Sequence, residues 1–189
     1  MSSRRIRIAL LAALVTALGA GSFAFASGRD HGDHHGDSTR SLSAVLIGDN
    51  ETPSIHTAGR GTLKLTINSD NTMSYTLTYS NLSSAAQVAH IHLGQPGVIG
   101  GAAIFLCGGG GKAACQPGNT STPVSVSGTI VAGDVQALAG QGLAAGDLAG
   151  IVQEIKAGFT YANVHTTNFG GGEIRGQIGH GHGDDEDDD

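Results

Sequence analysis

The segment TLKLTINSDNTMSYTLTY (Thr62–Tyr79) decides the fold. Its two halves, Thr62–Ile67 and Met73–Tyr79, each alternate between apolar and polar residues, which is typical of a β-strand with one buried face. Between them, NSDN (Asn68–Asn71) is rich in residues that favour turns. The segment therefore predicts an antiparallel β-hairpin. The residues predicted to share the buried faces are Leu63, Leu65, Ile67, Tyr75, Leu77 and Tyr79.

Further strand-like segments extend this pattern along the chain. They are SLSAVLIG before the hairpin, QVAHIHLG, AAIFLC and PVSVSGTIV after it, and FTYANVHT and GEIRGQI near the end. Only Ala132–Gly158 has helical periodicity. Asp134 and Asp147 are placed there as N-caps of two short helices, separated at Gly140–Gly142. We predict an all-β fold: a single antiparallel β-sandwich or barrel with one short helical excursion at about residues 133–157.

The first 26 residues have the three parts of a secretory signal peptide: a basic start, an apolar run and the small residues of AFA (Ala24–Ala26). We expect cleavage after Ala26. The alternative is an uncleaved membrane anchor, because Ile6–Phe25 is nearly long enough to span a bilayer. Cleavage would remove three of the ten basic residues and leave seven against 16 acidic residues, a formal net charge of −9. That charge disfavours nucleic acid and anionic membranes as partners, and we expect no membrane span after cleavage.

We expect residues 41–178 to form the folded domain. Residues 27–40 are rich in His and Asp, and residues 179–189 are rich in His and Gly and then wholly acidic, so we predict that both are disordered. These two segments could bind divalent metal weakly, or they could simply be solvated ends. Their histidines are His31, His34, His35, His180 and His182.

The two cysteines, Cys107 and Cys115, are separated by the Gly-rich segment GGGGKAA. In an exported chain such a close pair predicts a disulfide. The alternative, a redox-active or metal-binding pair, is less favoured because the spacing is not that of a C-x-x-C or zinc-ribbon motif.

Three histidines are candidates for a shared metal site. His90 and His92 lie two residues apart in AHIHLG, so a strand would place both on one face. His165, in YANVHT, is the third, and His56, in PSIHTAG, is a weaker candidate on a loop. Neutral imidazoles suit zinc or copper. Alternatively, the histidines are structural and hydrogen-bond to backbone carbonyls and to Glu173.

Glu173 and Arg175 alternate onto one face of GEIRGQI. They are close enough to pair or to hold a neighbouring polar group, and a semi-buried pair would orient the histidines. An exposed pair would contribute only about 0–1 kcal/mol. The chain contains no nucleophile elbow, phosphate-binding loop or Rossmann fingerprint, and no carboxylate pair stands out for acid–base chemistry. Hydrolase chemistry therefore has no support.

Four stretches together resemble the CHRD domain, a family found in chordin and in bacterial exported proteins. They are LSAVLIGDNETPSIHTAGRGTLKL, MSYTLTYSNL, AHIHLGQPGVIG and FTYANVHTTNFGGGEIRGQI, and the resemblance runs from about Leu42 to Ile178. It implies an extracellular all-β domain, with His90, His92, His165, Glu173 and Arg175 at the motif positions. His56 and the Cys107–Cys115 insertion depart from the family pattern.

The chain also resembles copper/zinc superoxide dismutase at the level of fold, through an H-x-H strand, a later histidine, a disulfide and a late arginine. It lacks the His- and Asp-rich zinc loop of that family. Our leading hypothesis is a secreted or periplasmic binding module for an unidentified extracellular ligand or cell-surface component, with copper or zinc on His90, His92 and His165. The alternatives are a copper-dependent redox enzyme, in which Arg175 attracts an anion, and a metal-sequestering protein that uses its terminal segments.

Overall fold

The predicted hairpin is present in the computed structural model, which describes residues 40–180. β2 (Arg60–Ile67) pairs with β3 (Met73–Ser80) in an antiparallel register that places Leu63 opposite Leu77. Asn71 in the connecting turn has a φ of 57°, a left-handed conformation that asparagine tolerates. Alternation thus buries one face of the hairpin and exposes the other.

All strands belong to one antiparallel sheet that forms a nearly closed barrel. The remaining strands are β1 (Arg40–Ile47), β4 (Ala86–Leu93), β5 (Gly101–Cys107), β6 (Val124–Ile130), β7 (Thr160–Thr166), β8 (Ile174–Gln177) and β9 (Gly179–His180). Their spatial order is β5-β4-β7-β8-β1-β2-β3-β6, and β9 pairs with β1. A hydrogen bond of 2.7 Å from the Tyr75 hydroxyl on β3, the neighbour of the end strand β6, to the Leu106 carbonyl links this side of the sheet to the other end strand, β5. The predicted all-β antiparallel fold is confirmed.

The barrel interior is aliphatic. Alternate residues of every long strand contribute to it, and many of their side chains are fully buried. On β4 the inward residues are Ala89, Ile91 and Leu93, and on β7 they are Ala162 and Val164. Since successive side chains on a strand point to opposite faces, His90 and His92 lie on the outer face of the barrel wall.

The helical region differs from the prediction in its first half. Only one α-helix forms, α1 (Leu148–Lys156), and the helix predicted to follow Asp134 is absent. Residues 132–143 instead contain two three-residue 3-10 turns, Ala132–Asp134 and Ala139–Gln141. The backbone between the turns pairs with the edge strand β5, because Gln136 N–H donates to the Ala103 carbonyl. That pairing supplies hydrogen bonds that a helix would otherwise have made.

The sheet extends slightly beyond the domain limits expected from the sequence. Arg40 begins β1, and β9 pairs Gly179 with Ser43 and His180 with Leu42. Two residues of the C-terminal segment therefore belong to the sheet. The described part of the structure does not include the predicted signal peptide or the rest of the two end segments. It also does not include the side chains of the five histidines of these end segments. Cys107 and Cys115 form the predicted disulfide.

Asp147 acts as the N-cap of α1, as its position in the sequence predicts. Its carboxylate accepts a hydrogen bond of 2.8 Å from Gly150 N–H, one of the amides left without a partner at a helix start. We expect Asp147→Ala to lower the free energy of unfolding by about 1 kcal/mol in urea denaturation. Asp147→Asn retains an accepting oxygen and should stay within a few tenths of a kcal/mol of the parent, so equal losses in both variants would contradict the capping role.

Candidate metal centre

The candidate site lies on the outer face of β4, β7 and β8. The strand register pairs His90 with Asn163 and His92 with Tyr161, and Asn163 in turn with Arg175. Residues that are directly opposite each other on antiparallel strands project to the same face. The pairing therefore builds two adjacent rows of side chains outside the barrel.

His165 joins these rows from the diagonal position, two residues beyond Asn163 on β7. One ring nitrogen from each of His90, His92 and His165 lies within 4.8 Å of the other two. His90 Nδ1 and His165 Nε2 are 3.2 Å apart. The structure thus brings together the three histidines that the sequence singles out.

Backbone carbonyls determine the tautomers of two of the histidines. His92 Nδ1 lies 2.9 Å from the Gly100 carbonyl oxygen, and His165 Nδ1 lies 3.0 Å from that of Gly170. A carbonyl only accepts, so each Nδ1 carries the proton and each Nε2 has a free lone pair. His92 Nε2 is buried and has no hydrogen-bond partner. A buried acceptor without a donor is unusual, and it lies where the three rings converge.

All three histidines are neutral at pH 7. Burial is the largest of the causes that lower the pKa of His90 to about 3, and the neighbouring His165 and His92 contribute to the same decrease. Burial is also the largest cause of the lowered pKa values of His92 and His165. Since the neutral imidazole is the form that binds a metal ion, the three rings are in the protonation state that a metal site requires.

Aromatic rings and a guanidinium enclose the cluster. The Tyr161 ring stacks on the His92 ring with centroids 4.7 Å apart, and the Arg175 guanidinium lies 3.4 Å above the centroid of the Tyr161 ring. The Phe105 ring meets the His90 ring edge-on at 4.5 Å. His90 and His92 are each only 8% exposed as a result.

Arg175 holds the loop that follows β4. Its Nη2 donates to the carbonyls of Gln95 and Val98, each at 2.9 Å. The same loop carries the Gly100 carbonyl that accepts the His92 Nδ1 proton. Arg175 thus positions the partner of His92. Its other hydrogen bond, from Nη1, goes to the Thr52 hydroxyl at 3.5 Å, and none goes to the carboxylate of Glu173. Of the two arrangements that the sequence left open, the Glu173–Arg175 pair does not form, and Arg175 instead holds neighbouring polar groups.

Glu173 lies in a bend before β8 and is fully buried. Its carboxylate accepts hydrogen bonds from the Thr57 and Thr166 hydroxyls and from the backbone and hydroxyl of Ser83. None of these partners is a histidine, so Glu173 does not orient the cluster as the sequence suggested. The physical reason is that hydroxyl donors from two loops and from the inner-face side of β7 satisfy the carboxylate completely. Glu173 thereby ties these loops to the barrel.

Sequence reasoning did not find Glu51, a buried carboxylate in the loop after β1. Burial outweighs the opposing effects of Arg175, the Thr52 backbone and the Asn163 amide, and the net result is a pKa raised to about 7. Its Oε1 is buried without a hydrogen-bond partner. No periodic pattern marks a loop residue of this kind. Asn163 did carry a signal, because it alternates in phase with His165.

The fourth sequence candidate, His56, is separate from the cluster. It is exposed in the loop before β2 and is not part of the group formed by the other three histidines. The structure therefore gives it no shared ligand position within residues 40–180.

Comparison with protein families agrees with this architecture. A model of the CHRD domain matches residues 42–178. The chain belongs to the CHRD family. The match supports a binding role for the domain, and together with the disulfide it fits an extracellular or periplasmic protein. No curated protein and no solved structure was found to match the chain. Within residues 40–180, no helix of this CHRD protein is long and apolar enough to cross a membrane.

The Glu173 network makes a prediction about stability and pH. Burial opposes ionisation, but the hydrogen bonds from Thr57, Ser83 and Thr166 hold the pKa of Glu173 below its ordinary value of 4.5. A carboxylate with a lowered pKa stabilises the fold above its unfolded pKa, and that contribution is lost as the pH falls through its folded pKa. We expect Glu173→Gln to unfold at lower urea concentrations than the parent at neutral pH, because an amide NH₂ cannot accept hydrogen bonds.

The difference between Glu173→Gln and the parent should shrink when both are unfolded with urea between about pH 6 and about pH 3 in the presence of a chelator. Glu154→Gln, which removes a carboxylate from α1, serves as the control and should keep the pH dependence of the parent. A Glu173→Gln curve parallel to that of the parent would contradict the assignment.

Proposed function

We propose that this CHRD protein is an exported, non-enzymatic module that binds one copper or zinc ion through His90, His92 and His165. The observation that carries the proposal is the convergence of three neutral ring nitrogens, with two tautomers fixed by carbonyls so that each Nε2 lone pair points inward. Hydrogen bonds of this kind from the other ring nitrogen are typical of metal-binding histidines.

The distances suit a metal ion of this type. Bonds of about 2.0–2.1 Å place the nitrogens of a tetrahedral site about 3.4 Å apart. His90 Nδ1 and His165 Nε2 are already 3.2 Å apart, and the other separations, at most 4.8 Å, would need only ring rotations to close. Imidazole favours zinc or copper over magnesium or calcium, which prefer oxygen ligands.

We favour binding over redox catalysis because of how the site is enclosed. His90 and His92 are nearly buried, which leaves little room for a substrate beside them. The Arg175 guanidinium, which the redox hypothesis needed for attracting an anion, stacks on Tyr161 and donates to two backbone carbonyls.

The metal site can be tested in the full chain after the histidines of the two end segments are replaced by serine. We define the tail-serine background by the substitutions His31→Ser, His34→Ser, His35→Ser, His180→Ser and His182→Ser. After loading with Cu²⁺ or Zn²⁺ and dialysis, elemental analysis should find one metal ion per chain in this background. His92→Ala should weaken binding by more than about 100-fold, beyond the ~10–100-fold effect of residues that only orient a ligand.

His56→Ala is the matched control and should retain one equivalent of metal, because His56 is outside the cluster. Circular dichroism would verify that His92→Ala remains folded. A tail-serine chain without bound metal, or full retention of metal by His92→Ala, would refute the histidine site. Loss of all metal on silencing the tails would support sequestration by the terminal segments.

Export can be tested separately. If residues 1–26 are a cleaved signal peptide, mass spectrometry of the protein from the periplasm or the culture medium should give an N-terminus at Ser27. Protein that keeps its first 26 residues and sediments with membranes would instead indicate an uncleaved anchor.

A further inference from the structure

Asn163 lies at the centre of the histidine cluster and is only 2% exposed. It is directly opposite His90 on β4 and opposite Arg175 on β8. Its Oδ1 is 3.1 Å from His165 Nε2. The amide oxygen thus contacts one proposed ligand, His165, and the side chain shares a face with a second, His90.

The contact between Asn163 and His165 is mismatched in the absence of a cation. His165 Nδ1 donates its proton to the Gly170 carbonyl, so Nε2 carries a lone pair. An amide oxygen is also only an acceptor, and two acceptors 3.1 Å apart repel each other. His92 Nε2 is a further buried lone pair without a donor. His90 Nδ1 can supply one proton to this group, which leaves the other acceptors unsatisfied.

The orientation of the amide follows from its contact with His165, because Oδ1 is the atom that lies 3.1 Å from His165 Nε2. Glu51 is a second buried polar side chain at this site, and its Oε1 has no hydrogen-bond partner. Burial is the main influence on the pKa of Glu51 and raises it, whereas the Asn163 amide is among the groups that lower it.

We propose that Asn163 Oδ1 is a fourth ligand of the metal ion. The inference rests on the proposed histidine site and adds an oxygen to its three nitrogens. Zinc accepts oxygen ligands at about 2.0–2.2 Å. Copper sites can include a weak, long bond to an amide or carbonyl oxygen. The fourth ligand also explains why a polar residue is buried opposite His90 with its acceptor turned toward other acceptors.

The opposite orientation of the amide gives a different expectation. If the NH₂ instead donates to His165 Nε2, then Asn163 competes with the metal for that nitrogen. Removing the amide would then strengthen metal binding or leave it unchanged. The two orientations therefore predict opposite changes in affinity.

The test uses the tail-serine background, titrated with Zn²⁺ against a chromophoric chelator and loaded with Cu²⁺ for electron paramagnetic resonance. We expect Asn163→Ala to retain one metal ion per chain, to bind Zn²⁺ about 10-fold or more weakly, and to change the Cu²⁺ spectrum. Asn163→Asp supplies a carboxylate oxygen at the same position and should bind at least as tightly as the parent.

Thr160→Ala is the matched control, because Thr160 is a buried polar residue on the same strand but on the inner-face side. It should leave affinity and spectrum unchanged. Parent-like affinity and spectrum in Asn163→Ala, or tighter binding by it, would overturn the fourth ligand while leaving the histidine site intact. Absence of core metal from the parent background itself would overturn the proposed function as well, so the two failures are distinguishable.

Discussion

The antiparallel register between β4 and β7 determines what lies on each face of this part of the barrel. It aligns His90 with Asn163 and His92 with Tyr161 on the outside, while Ile91 and Ala162 meet inside. Because side chains alternate strictly, a slip of one residue would move imidazoles into the aliphatic interior and isoleucine out of it. The burial of Ile91 therefore also fixes the positions of the two histidines. On these strands, the register that packs the core also determines which side chains form the site.

Burial of the outer face adds a second constraint, because every polar atom beneath the loops needs a partner. Carbonyls of Gly100 and Gly170 satisfy the N–H groups of His92 and His165, and these bonds leave the accepting nitrogens turned inward. Low polarity keeps the rings neutral, as the lowered pKa of His90 shows. The loops therefore exclude water and also fix the tautomers, so that the accepting nitrogens of His92 and His165 lie close together. A cation is the natural complement of such a cluster.

Alternation predicted the strands and the common face of His90 and His92, because both depend only on the period of two along a strand. It did not predict Glu51, since a loop residue has no period. The role expected for Glu173, orienting the histidines, was wrong. Glu173 lies in a bend, and its carboxylate accepts hydrogen bonds from residues of loops that are distant in sequence. The helix expected after Asp134 failed for a related reason, because its backbone pairs with an edge strand that is distant in sequence. Each of these features is a contact that only the tertiary fold creates.

Two charged residues separated by one position, Glu173 and Arg175, hold different loops instead of each other. The Glu173 carboxylate accepts hydrogen bonds from Thr57 and Ser83. The Arg175 guanidinium donates to the carbonyls of Gln95 and Val98. An ion pair between them would have left both loops without these anchors. Since backbone and hydroxyl groups replace the opposite charge as partners, each ion is satisfied by several neutral dipoles. Arg175 therefore holds the loop that carries the partner of His92, Glu173 ties two other loops to the barrel, and the three histidines remain uncharged.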